Sequence, residues 1–186
     1  MDKYIISGNK SKRSISLIFK VDDNIYNIIN LLDKNNIKAT FFINNNYLED
    51  NSDMIIDLIN NDHIIGNLGN NLDYSDSSFG WMDTIIKSLT NQKRGYCYYT
   101  NKVNDKYCID YKNYIIKPIE INDNFLYEVK KNLSNGVMLS FNINNKLIKE
   151  LDSIISFIKS KGYNIVNIDV LLNENNLNIW FIFSYE

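Results

Sequence analysis

A pair of adjacent aspartates, the single histidine and the two cysteines are the first residues of this chain to weigh for chemistry. Paired carboxylates can serve as a general base or as oxygen ligands for a divalent cation, and Asp22 and Asp23 stand side by side. The plainer reading is electrostatic, because the pair directly precedes an apolar run at helical spacing, where acids complement the helix dipole. His63 is the only histidine in 186 residues, so no site needing two imidazoles can be assembled within one chain. It opens the β-prone run His63-Ile64-Ile65 and is read there as a structural hydrogen-bonding residue. Cys97 and Cys108 are spaced neither as a CxxC redox pair nor as half of a zinc ribbon. They are read as small buried hydrophobes, with a disulfide or a reactive thiol as the alternatives. A substitute metal site could draw on Asp73, Asp76, Cys97 or Cys108, but no two of these share a ligand-like spacing.

The elements that must position these residues follow from periodicity. Ile15, Leu17 and Phe19 alternate with polar neighbours as in a strand, and Ile25, Ile28, Ile29 and Leu32 recur at helical spacing. Ala39 to Ile43 then reads as a buried strand, completing a β-α-β unit. A helix carrying Met54, Ile55, Leu58 and Ile59 leads to a strand at His63 to Ile65 and a polar loop from Gly66 to Asp76. A further helix carries Met82, Ile85, Ile86 and Leu89. Strands are expected at Tyr96 to Thr100, Tyr114 to Ile119 and Val137 to Phe141, with a helix around Phe125, Leu126 and Val129 before the last. A long helix from Leu147 to Ile158 ends near Gly162, a natural C-cap, before a strand at Asn164 to Ile168. Alternating strands and helices predict an α/β protein with parallel strands, either a barrel or a doubly wound sheet.

Composition excludes some functions. With 20 basic and 22 acidic residues and a net charge of -2, there is no basic run to track a phosphate backbone, so a nucleic-acid partner is not expected. An apolar fraction of 45% suffices for one substantial core. No stretch approaches a membrane span and none reads as a signal peptide, which as written makes the chain cytoplasmic. The apolar end, Leu177 to Phe183, is either an edge strand or a sticky appendage.

The stretch Ser16 to Asn67 resembles the start of polysaccharide deacetylases of the NodB homology type. That family has a strand ending in Phe-Asp-Asp, then a helix, then a run similar to Asn36-Ile37-Lys38-Ala39-Thr40-Phe41-Phe42-Ile43, and later Gly-His-Glu-Ile-Gly-Asn-His, which His63-Ile64-Ile65-Gly66-Asn67 resembles. Gly136-Val137-Met138-Leu139-Ser140-Phe141 and Ser160-Lys161-Gly162-Tyr163-Asn164-Ile165-Val166 are similar to its closing strands. The resemblance implies an irregular (β/α) barrel over residues 15–172, with 1–14 as an N-terminal extension and 173–186 as an apolar C-terminal tail.

The family's reaction is hydrolysis of an N-acetyl group on an amino sugar by a divalent metal held by one Asp and two His, with an Asp as general base and a later His as general acid. Aligned on this sequence, the metal histidines fall on Leu68 and Leu72 and the general acid on Phe141. Without a gap the Asp pair falls on Lys20 and Val21; with a slip of two residues it falls on Asp22 and Asp23. Trp81, Tyr74 and Tyr96 lie in or near segments that line the family's groove and are the candidate glycan contacts, Trp81 first because it lies off the Met82-Ile85-Ile86-Leu89 stripe.

A catalytically inactive member retained for glycan or protein binding is therefore expected, with no cofactor and no metal. The alternatives are an active carbohydrate N-deacetylase with an unconventional site, and a structural or assembly component that associates through the tail.

Overall fold

A computed structural model describes residues 4–21, 25–74, 77–100 and 102–173. In chain order the elements are β1 (Tyr4–Ile5), β2 (Ser14–Lys20), α1 (Ile25–Lys34), β3 (Thr40–Ile43), α2 (Asn45–Asp50), α3 (Ser52–Asn60), β4 (Ile64–Asn67), α4 (Ser78–Thr90), β5 (Tyr96–Tyr98) and α5 (Lys102–Asp110). They continue with β6 (Tyr114–Ile116), β7 (Ile119–Ile121), α6 (Phe125–Asn132), β8 (Met138–Asn142), α7 (Asn145–Ser160), β9 (Asn164–Ile165) and α8 (Ile168–Asn173).

The strands pair in parallel in the order β1-β6-β5-β4-β3-β2-β8-β7, and β9 adds beside the start of β2. β6 and β7 lie towards opposite edges of this order, yet only Lys117 and Pro118 separate them along the chain. The sheet therefore curls until its ends meet through the chain itself. This is the irregular barrel the sequence predicts, and among the described residues no strand pairing closes that seam. The expected single strand from Tyr114 to Ile119 breaks there because Pro118 has no N–H to give a ladder.

Strand alternation divides the core in two. Leu17, Phe19, Phe41, Ile43, Leu139 and Phe141 face outward and pack under the helices with Ile28, Leu32, Leu151, Ile154 and Ile158. Ile18, Phe42, Met138 and Ile116 face the barrel interior. α8 closes that interior from below: Ile168 and Leu171 join the inner cluster, and the Ile168 N–H donates to Thr40 Oγ1 at 3.1 Å, at the start of β3. The opposite end, where the strands finish, is left for a site, as in other β/α barrels.

Several expectations need correction. Residues Tyr4–Ile5 within the N-terminal stretch form a strand paired with β6. α2 and α5 were not foreseen. Cys97 and Cys108 are buried, but as a disulfide, with Cα atoms 6.1 Å apart, rather than as free hydrophobes. The apolar segment Leu177 to Phe183 lies outside the described residues. Among the described residues no helix is long and apolar enough to cross a membrane.

Candidate functional site

The ends of β2, β4 and β8 surround a cleft of about 240 Å³ lined by Lys20, Val21, Leu68, Asn71, Leu72, Asn142 and Ile143. The loop after β4 brings Leu68 and Leu72 to it together. Its turn is fixed by short-range bonds: Asn67 Oδ1 accepts from the Gly69 N–H at 2.7 Å, and the Leu72 N–H donates to the Leu68 carbonyl at 2.8 Å. Asn44 Nδ2 donates to Asn71 Oδ1 at 3.0 Å, anchoring the loop to the end of β3. Gly69, Asn71 and Leu72 all have positive φ, at 63°, 51° and 74°. For a leucine that conformation costs on the order of 1 kcal/mol, so the surrounding bonds impose it.

Below the cleft lies a polar network. Lys20 Nζ sits 2.8 Å from Glu120 Oε2 and 4.9 Å above the centre of the Tyr98 ring. The Tyr98 hydroxyl donates to the other Glu120 oxygen and lies 2.7 Å from the Ser140 hydroxyl. Burial, reinforced by the Glu120 charge, pushes the Tyr98 phenol far above its ordinary range, so it stays a neutral donor. Glu120 is thus held by one ammonium and one phenol.

These residues do not fit a catalytic dication. Among the described residues the cleft presents an ammonium, four aliphatic side chains and two neutral amides, and none of these is a zinc-type ligand. Among the described residues no group of three or more His, Cys, Asp or Glu side chains is placed to hold a metal ion. What the cleft can do is receive a small group with both apolar and hydrogen-bonding parts.

The remaining sequence candidates are scattered. Asp22 and Asp23 lie outside the described residues, as does Asp76. Phe141 does not reach the cleft: it is fully buried on the outward side of β8, 5.9 Å from Phe19 and 6.1 Å from Phe125 between ring centres. Alternation along β8 puts Asn142, not Phe141, at the cleft, opposite Lys20 in the strand register. Tyr74 cannot meet a glycan, because it is fully buried with its hydroxyl donating to the Tyr98 carbonyl at 2.6 Å. Tyr96 is likewise buried, its hydroxyl donating to the Asp169 carboxylate on α8. Trp81 is 42% exposed on α4, but it does not line the cleft.

His63 lies at the far end of the barrel, just before β4 begins. Its Nδ1 accepts from the Ala39 N–H at 3.1 Å and its ring meets Phe41 edge-on. Burial, helped by the nearby Lys38 charge, lowers its pKa from 6.5 to about 4.

Sequence reasoning missed Glu120, Tyr98 and Ser140 as one network. The available signal was parity: residues 138, 140 and 142 share the inner face of β8, and Lys20 continues the inner face of β2.

The family model of polysaccharide deacetylases matches residues 7–113, and the chain belongs to the polysaccharide deacetylase family. Its fold is similar to that of BA3943 from Bacillus anthracis, described as a CE4 family pseudoenzyme, at 20% identity and a TM-score of 0.79 over 94% of this chain and 70% of that one. It is also similar to the Bc1960 peptidoglycan N-acetylglucosamine deacetylase, at 18% identity and a TM-score of 0.76 over 91% and 92% of the two chains. A third similar structure is the family 4 carbohydrate esterase PdaA of Bacillus subtilis, at 17% identity and a TM-score of 0.77 over 94% and 86%. No curated protein sequence matches.

Proposed function

We propose that this chain is a non-catalytic polysaccharide deacetylase domain, retained to bind an N-acetylated glycan in the cleft at the strand ends. The observation that carries the reading is the lining of that cleft. Where the family's chemistry calls for a base, an aspartate ligand and two histidines, the cleft offers Lys20, Val21, Leu68 and Leu72. Lys20 and Val21 are the positions that the ungapped alignment puts there, while Asp22 and Asp23, the positions of the slipped alignment, lie outside the described residues. By the same alternation, Asn142 rather than Phe141 takes the place of the general acid, and an amide has no proton to give a leaving amine.

The aliphatic walls suit an acetyl methyl, and the amides of Asn71 and Asn142 suit its polar atoms. A similar fold has been described for a pseudoenzyme, and a mutant of that protein is described as having restored enzymatic activity, which makes loss of chemistry on a preserved scaffold a reasonable precedent. The functional unit is residues 15–172 together with β1, which pairs with β6, and 173–186 is a flanking segment.

The test is paired. Purified protein incubated with acetylated chitin oligomers or peptidoglycan fragments releases no acetate above a heat-treated control, while titration with N-acetylated oligosaccharide shifts the amide resonances of Asn71 and Asn142. Chelator-sensitive acetate release would instead establish the active-deacetylase alternative. No shift with any glycan would leave the structural or assembly alternative, to be read from the oligomeric state with and without residues 173–186.

A further inference from the structure

We propose that the Cys97–Cys108 disulfide is a redox latch for α5: closed, it fixes the helix on the sheet, and reduced, it lets the helix leave while the barrel stays folded. A nine-residue helix does not hold itself together in water, so α5 depends on what ties it down. Among its side chains from 105 to 110, Cys108 is fully buried and Tyr107 half-buried, while Lys106, Ile109 and Asp110 are exposed. Asp105 is buried as well, its Oδ1 accepting from the Thr100 N–H and hydroxyl, both at 3.1 Å, and Tyr107 packs against the cluster that holds Cys97, Cys108 and Ile115. α7 shows the contrast, with Leu147, Leu151, Ile154, Ile155 and Ile158 all buried along one face.

The latch is mounted on a strand that does not need it. β5 is paired through all three residues to β6 and through Cys97 to β4. Tyr96 and Tyr98 point into the barrel, where their hydroxyls bind Asp169 and Glu120, and Cys97 points out towards α5. Breaking the bond therefore removes the helix's covalent anchor and leaves the strand's ladder in place.

Closing transfers two electrons and two protons from the thiols of Cys97 and Cys108 to the disulfide of a thiol oxidoreductase, which becomes a dithiol. Opening reverses this: a reductant thiolate attacks one sulfur, a mixed disulfide forms, and the reductant's second thiol resolves it, leaving two cysteine thiols. Both sulfurs belong to fully buried residues, so attack waits on local lifting of α5. Oxidising surroundings keep the latch closed, and a reducing cytosol opens it.

The test uses the full chain, with alkylation read by mass and amide exchange read along the sequence, before and after treatment with a phosphine reductant. Untreated native protein should take up no alkyl group. Reduced native protein should take up two, with amides 102–110 exchanging at least about tenfold faster while those of β2, β3 and β8 are unchanged. The Cys97→Ala/Cys108→Ala variant should show the reduced pattern under both conditions. Alkylation of both thiols without reductant would overturn the proposal, as would unchanged protection of α5 after reduction. Loss of protection across the whole sheet would also overturn it, because the bond would then staple the entire fold.

Discussion

Lys20 and His63 are chargeable side chains held in covered surroundings, and each makes a prediction. Lys20 is largely covered and bonded to Glu120, so Lys20→Met leaves a partly buried carboxylate with only the Tyr98 hydroxyl for company. A hydrogen bond to a charged group contributes about 1.5 to 3 kcal/mol, and some is recovered here by hydration of the half-open Glu120. We expect a loss of about 1 to 2 kcal/mol in denaturant unfolding, and Lys20→Met/Glu120→Gln should recover part of it. His63 makes a prediction in pH. Its folded pKa of about 4 lies below the ordinary 6.5, so the unfolded chain binds the proton first as pH falls. The stability that depends on neutral His63 is complete above pH 6.5 and is lost progressively towards pH 4. Carboxylates also titrate near the lower limit, so the measurement is a difference: between pH 7 and pH 4.5, His63→Gln should lose less stability than the wild type. Equal slopes would remove the burial argument.

Among the elements, those with a clear apolar stripe were legible in the sequence and those without one were not. α7 announces itself through five buried aliphatics and the Asn144 side chain, which accepts from the Leu147 N–H at 2.9 Å as an N-cap. α5 buries only Asp105 and Cys108 among its side chains from 105 to 110, and the covalent bond that ties it to β5 is not revealed by spacing alone. The two helices should answer mutation differently. Leu151→Ala creates a cavity in a closed core and should cost about 3 kcal/mol, whereas Ile109→Ala removes an exposed side chain and should change stability by less than about 0.5 kcal/mol. Thermal or denaturant unfolding reads both. The site was legible only in part for a related reason. Leu68 and Leu72 were identified through the family resemblance, and the loop does bring both to the cleft. Phe141 was placed there by counting along a motif, without asking which face of β8 an odd position takes. Tyr74 and Tyr96 were chosen for their aromatic type, but burial, which decides whether a ring can meet a sugar, is set by the packing of α4, α8 and the strands between them.

At the scale of the whole molecule, the barrel has the family's shape, and the proposed function rests on which described residues line its open end. The inner and outer clusters, the plug of α8 below and the anchored loop after β4 build a cleft at the strand ends, and among the described residues its lining is aliphatic, amide and ammonium. The proposed function requires scaffold and chemistry to be separable, which calorimetric titration of metal-free protein with Zn²⁺ measures. The wild type should show no stoichiometric binding, and the Val21→Asp/Leu68→His/Leu72→His variant, which supplies one carboxylate and two imidazoles to the same cleft, should bind one equivalent. One tightly held equivalent of Zn²⁺ in the unmodified protein, displaced by a chelator, would contradict the account.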